Sequence, residues 1–237
     1  MVQYSNFKKH KQINGIKLFV IIVTILCNVG YSEAQRNEDQ LKPVDGIFGI
    51  FNFQYEYGSK VRKVLLNGLT DKPEIRFLVI PSFTPEIVLD IESKRDSNKY
   101  YIVHHICKAM IWSDTDWEKI KVVKYKSEID KESVQLVKSL FEIATSKVKY
   151  PERIINSDGS EKFISGLDGV NYYFSIYLTG HGIRSGTVWS PNEESKMGKL
   201  VAIGNKMIEL AKSGKEKVSF DTEFKKSIEN LIIEFKQ

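Results

Sequence analysis

The sequence predicts an α+β fold: a mainly antiparallel β-sheet packed by about three helices, the last two at the C-terminus. Three observations carry this. Runs of alternating or continuous apolar residues come first, and helix-period stripes come later. Regular strand–helix alternation is absent, which argues against a parallel doubly wound sheet. Only one cysteine, Cys107, follows residue 34, so no disulfide joins the region beyond it and the fold rests on packing.

The chain has 237 residues and a formal charge of +5. Residues 1–34 read as a secretory signal peptide. Lys8, Lys9, Lys11 and Lys17 form a basic start, Leu18 to Leu26 is apolar apart from Thr24, and Ser32 and Ala34 are small, as signal peptidase requires. Cleavage near Ala34 is expected, with the product periplasmic or secreted. An anchor would need about 20 apolar residues; between Lys17 and Glu33 there are only 15 uncharged ones. No stable membrane span is therefore expected after cleavage. Cys27 follows Leu26, not the small residue that lipidation at a cysteine needs. The segment holds four lysines and one glutamate, so the remaining 203 residues carry only about +2. Their charges are mixed in sign, with no footprint for nucleic acid.

Residues 35–45 are polar and read as a flexible leader. A single α+β domain is expected over 46–237. Phe51, Phe53, Tyr55 and Tyr57 alternate with Asn52, Gln54 and Glu56, the period of a half-buried strand that Gly58-Ser59 would end. Lys60–Leu69 reads as a second strand, with Asn67-Gly68 as a turn. Further strands are expected at Ile75–Ile80, Glu86–Glu92, Tyr100–Met110 and Ile120–Tyr125. Pro81 and Pro85 bracket one connection, and a tryptophan-flanked loop, Trp112–Trp117, forms another.

The period then changes. Val134, Val137, Leu140, Phe141, Ala144 and Val148 mark an amphipathic helix from Lys131 to about Lys147, with Asp130 as N-cap and Pro151 as its stop. Asn156–Gly159 and Gly166–Gly169 are turn signals. Val170, Tyr172, Phe174, Ile176 and Leu178 then share one strand face. Asn171, Tyr173, Ser175, Tyr177 and Thr179 share the other. The glycine-rich turn Thr179–Gly186 leads into a short strand at Thr187–Trp189. Ser190-Pro191-Asn192-Glu193 has the form of a capping box, which predicts a helix start, and Gly214 its end. Phe224, Ile228, Leu231, Ile232 and Phe235 make the stripe of a last helix from about Asp221.

Few residues suggest chemistry. Cys107 lies in an apolar run and reads as a buried small hydrophobe. His105 shares its strand face and His104 takes the other, so one histidine is expected in the core and one towards solvent. A metal site would need a third ligand that the sequence does not supply, and no cofactor is expected. Asp114-Thr115-Asp116 reads as a solvated turn. Neither Asp158 nor Asp168 opens a calcium loop. His181 is the candidate for catalysis, with Asp168, Ser185 and Ser190 nearby in sequence. A strand of about 27–30 Å separates Asp168 from His181, however, and there is no G-x-S-x-G elbow. Tyr173, Tyr177 and Trp189, with the His181 loop, form the candidate binding surface, because Tyr and Trp favour interfaces and stacked rings hold sugars. The expected function is an exported cell-envelope binding or interaction protein, its partner another envelope protein or a saccharide. The alternative is a hydrolase using His181 with an acidic or hydroxyl partner.

The residues Gly166–Ser175 (GLDGVNYYFS) and Gly186–Pro191 (GTVWSP), with the Pro-rich bend at Ile80–Pro85, carry one resemblance. In them the chain resembles a group of uncharacterised exported bacterial proteins with an L-D-G-x-x-Y-x-F strand and a W-S-P helix start. The resemblance implies export and the strand–helix order, and no activity.

Overall fold

A computed structural model describes residues 39–44, 52–94, 99–150 and 168–237, with side chains described from 56 within the second stretch. The signal segment 1–34, its cleavage site, Pro151 and the turn signals at 156–166 lie outside these residues. The chain order is β1 (Lys42–Pro43), α1 (Asn52–Val64), β2 (Ile75–Pro81), β3 (Ile87–Lys94), β4 (Lys99–Cys107), β5 (Val122–Ile129), α2 (Lys131–Ser146), β6 (Val170–Leu178), β7 (Gly182–Trp189), α3 (Lys196–Lys212), β8 (Lys217–Val218) and α4 (Thr222–Lys236). The fold is α+β, with one mixed sheet of eight strands in the order β1-β7-β6-β2-β3-β4-β5-β8. Every pairing is antiparallel except β5 with β8.

Two hydrophobic clusters lie on opposite faces of the sheet. The larger holds Phe77, Leu89, Ile91, Ile102, Phe174 and Ile176 from the strands, with the stripes of α2, α3 and α4. The smaller holds Leu78, Val88 and Cys107 from the strands, with Val61, Val64 and Leu65 from α1 and its end. This division explains β2. Its side chains alternate between two covered faces, so Ile75–Pro81 reads as a nearly continuous apolar run.

The sequence reading is corrected at its start. Of the expected strand Phe51–Tyr57, Phe51 lies outside the described residues and the rest is helical, and Lys60–Leu69 is not its partner. Asn52–Val64 is α1, with Gly58 inside it. The aromatic alternation masks a second pattern, Tyr57-Val61-Val64-Leu65, whose three-and-four spacing puts one stripe on the smaller cluster. Gly68, at φ 88°, does make the expected turn. Four helices, not about three, therefore accompany the sheet among the described residues, and a two-residue strand separates the last two. The leader reading also needs correction at its end. Leu41 is fully buried, and Lys42 and Pro43 pair with Thr187 and Gly186. A Cβ at Gly186 would stand 2.7 Å from Leu41, so glycine is what lets the edge strand close.

A third correction concerns α3. Ser190 does not cap it. Its hydroxyl instead accepts from Val170 N at 2.9 Å and ties the end of β7 to the start of β6, at a backbone φ of 36°. The cap is Ser195, which accepts from Gly198 N at 2.9 Å and donates to Asn192 O at 2.6 Å. The cap Asp130 is as expected, accepting from Ser133 N, and Asp221, where the last helix was expected to start, caps it by accepting from Phe224 N.

Candidate functional site

One end of the sheet gathers five pieces of chain. They are the β2–β3 loop, the β4–β5 loop, the first residues of β6, the last of β7 and the exposed side of α1. Between them lies an open groove of about 530 Å³. Ser82 fixes its wall. Ser82 Oγ donates to Gly169 O at 2.9 Å and accepts from Gly169 N at 3.1 Å, pinning the β2–β3 loop to β6. Gly169 can sit there only without a side chain, since a Cβ would stand 2.5 Å from Ser190 Oγ and 2.6 Å from the Trp189 ring.

The groove is rimmed by two large, exposed apolar side chains. Phe83 is 67% exposed and Trp112 is 59% exposed. Phe83 also walls a second hollow of about 420 Å³ that runs towards Pro85, Met110 and Asp114. Polar groups interrupt the apolar lining: Glu56 and Lys60 from α1, and Asp168 and Asn171 from β6 and its approach. Glu56 and Lys60 pair at 2.9 Å across one helical turn. Lys60 and Lys63 flank the Trp117 ring at 5.7 and 5.6 Å from its centroid, which holds the short 3₁₀ turn Trp117–Lys119 against α1.

Tyr57 lies at the inner side of the groove. Its hydroxyl donates to Glu86 Oε1 at 2.7 Å, and Ile111 N donates to both oxygens of the same carboxyl at 3.0 Å. Glu86 is fully buried. The Tyr57 proton is thus committed inward, and its oxygen can act towards the groove only as an acceptor. Burial, reinforced by the neighbouring Glu86, holds the Tyr57 hydroxyl far above the ordinary phenol range. Tyr57 is no general base and no nucleophile in this setting. Cys107 lies nearby on the same sheet face. Burial, then Glu86, pushes its thiol up to about 12, so it carries no thiolate for nucleophilic work.

The residues singled out from sequence do not converge on one point. Register places Trp189 opposite Asn171, Tyr173 opposite Thr187 and Tyr177 opposite Ile183, so the three rings share a face as expected. Trp189 stands at the groove end, beside Gly169. Tyr173 packs on the smaller cluster with α1. Tyr177 lies towards the other end, with Lys72 Nζ 5.6 Å from its ring. His181 is exposed at the β6–β7 turn, beyond Leu178, which is itself about 23 Å from Asn171 by strand rise. Its Nδ1 faces Thr179 O at 3.3 Å. Among the described residues no carboxyl or hydroxyl bonds to it. Asp168 is at the groove, at the opposite end of β6.

The other histidines need a correction. Neither faces solvent: His104 is fully buried and His105 is 3% exposed, because both faces of β4 are covered. Nδ1 of His104 bonds Val88 O at 3.0 Å, and Nδ1 of His105 bonds Leu65 O at 2.8 Å. Among the described residues no three His, Cys, Asp or Glu side chains are placed to hold a metal. Asp114 accepts from Asp116 N and Asp116 pairs with Lys119, the solvated turn expected of that segment.

The groove itself was not foreseen. The signals were Phe83 between Pro81 and Pro85, and Trp112 in a polar loop: large rings in connections have no core to enter. Among the described residues, no helix is long and apolar enough to cross a membrane. No family model matches the chain, and no curated protein or solved structure matches it either.

Proposed function

We propose that this protein is an exported binding protein of the cell envelope, and that its partner seats in the groove rimmed by Phe83 and Trp112. The observation that carries the reading is the pair of exposed rings on two different loops, held over a pinned wall. Two such rings, 67% and 59% exposed, lose free energy of solvation unless a partner covers them. Anchored aromatics around a few fixed polar groups are the usual composition of a binding site. The polar groups support binding rather than turnover. Tyr57 is locked to Glu86, Cys107 is held as a thiol, and Lys60 is paired with Glu56. Export rests on the basic start, apolar core and small residues of 1–34.

Site-specific photo-cross-linking in intact cells tests the reading. A photoreactive phenylalanine analogue at Trp112 is expected to capture an envelope component. The same analogue at Ile233, which is 54% exposed on α4, is the control and is expected not to. Equal capture at both positions, or none at Trp112, counts against the groove. Intact mass of the protein from fractionated cells tests the address: a form beginning at Gln35 outside the cytoplasm is expected, and a full-length cytoplasmic form refutes it.

A further inference from the structure

From the chemistry of the groove we infer that the partner is a glycan chain, stacked on Trp112 and Phe83 and hydrogen-bonded by Asp168 and Asn171. The inference rests on the binding reading above and narrows it. Three features separate a sugar from other occupants. First, the rings are on the rim and open to solvent rather than sunk in a pocket. A pyranose presents a flat patch of C–H bonds that covers such a ring and leaves its hydroxyls free at the edge. Second, the polar groups mix acceptors and donors. Asp168 accepts, and the Asn171 amide does both. A sugar hydroxyl also does both, so neighbouring hydroxyls can satisfy a carboxylate and an amide together. Third, Phe83 also walls the second hollow, where Ser113, Asp114 and Thr115 offer further polar groups beside Pro85 and Met110. Polar and apolar surface thus alternates on both sides of the Phe83 ring, as it does along an oligosaccharide.

A cationic peptide is the competing occupant. It would pair with Asp168 and lie on the same rings. The local charge gives it little to hold. Glu56 and Lys60 cancel each other, which leaves Asp168 and, beyond Phe83, Asp114 as isolated carboxylates, too few to balance a run of cations.

The chain has three tryptophans. Their indole N–H signals can therefore be followed one by one by NMR, the Trp112 signal being the one lost in Trp112→Phe. The probes are the tetramer of β-1,4-linked N-acetylglucosamine, cellotetraose, maltotetraose and, as competitor, pentalysine. At least one tetrasaccharide is expected to shift the Trp112 signal saturably and to leave Trp117 unmoved. Asp168→Asn and Phe83→Ala are each expected to weaken that binding by roughly 10-fold, the effect of losing one anchor. Both residues are exposed, so neither change is expected to disturb folding. The corresponding disaccharide is expected to bind more weakly than the tetramer. If all three tetrasaccharides leave Trp112 unmoved at about 10 mM, near the weak limit of specific recognition, the glycan inference is overturned. A shift by pentalysine alone overturns it in favour of a cationic peptide. In either case capture of a partner at Trp112 in cells still upholds the binding reading, and its absence there brings down both.

Discussion

His104 shows what the sheet demands of single residues. Its ring stacks on Tyr125 with centroids 5.6 Å apart, and its Nε2 has no partner among the described residues. Burial is the main cause that lowers its pKa to about 4, while the Val88 carbonyl pulls the other way. The consequence for stability has a definite sign. Above pH 6.5 the ring is neutral in folded and unfolded chains alike. As pH falls from 6.5 to about 4, the unfolded chain takes a proton that the folded chain refuses, so stability is lost. The full loss is about 3 kcal/mol. Asp90 acts in the opposite sense. Burial raises it to about 6, although Arg76 grips it at 2.8 and 2.6 Å, and folding therefore gains as this carboxyl protonates. The two residues partly cancel in the wild type. Chemical denaturation of wild type and His104→Leu at pH 7 and pH 4 separates them. The stability difference between the two proteins is expected to move by about 3 kcal/mol in favour of the variant at the lower pH.

At the scale of elements, helix and strand periods are legible where one pattern acts alone. Asp130 caps as expected and the last helix starts beside Asp221, while the alternation of Val170–Leu178 gives the expected strand and its partner starts at Gly182, ahead of the expected Thr187. The reading fails where two patterns overlap. Four aromatics at alternate positions suggest a strand over 51–57, yet the stripe that reaches the core belongs to a helix running on to Val64. It also fails where a polar group finds a distant partner. Ser190 has the spacing of a cap, but its hydroxyl is taken by Val170 N, twenty residues away. The site was hidden for the same reason. Glu56 and Tyr57 reach the groove only because the segment is helical. Gly204, on α3, shows how tightly these elements fit. A Cβ there would meet the Phe77 ring at 2.4 Å, and that ring already packs on Phe174 with centroids 5.0 Å apart. Gly204→Ala is expected to destabilise by about 1–3 kcal/mol despite the better helix propensity of alanine, as thermal or urea unfolding will show.

The described residues from 39 onward form a sheet covered unequally. Three helices lie on one face, while α1 covers part of the other. The groove opens where that partial cover ends, on the loops at one end of the strands. Its rings and pinned wall come from distant parts of the chain, so their meeting is a property of topology that no local pattern announces. Topology also sets the tempo of folding. The central strand β2 lies between β3, its neighbour in sequence, and β6, whose partner residues are about a hundred positions away. Such long-range pairing slows folding to the range of milliseconds to seconds. Stopped-flow refolding followed by tryptophan fluorescence is expected to fall in that range.

The edge strand β1 carries this furthest. Lys42 and Pro43, near the start of the described chain, dock on Thr187 and Gly186 of a strand made almost last. A chain threaded N-terminus first through a narrow passage emerges with β1 in hand and nothing to receive it. The sheet cannot close at that edge until β7 has followed. Until then Leu41, destined for the core, waits in water beside an edge that has no strand to pair with.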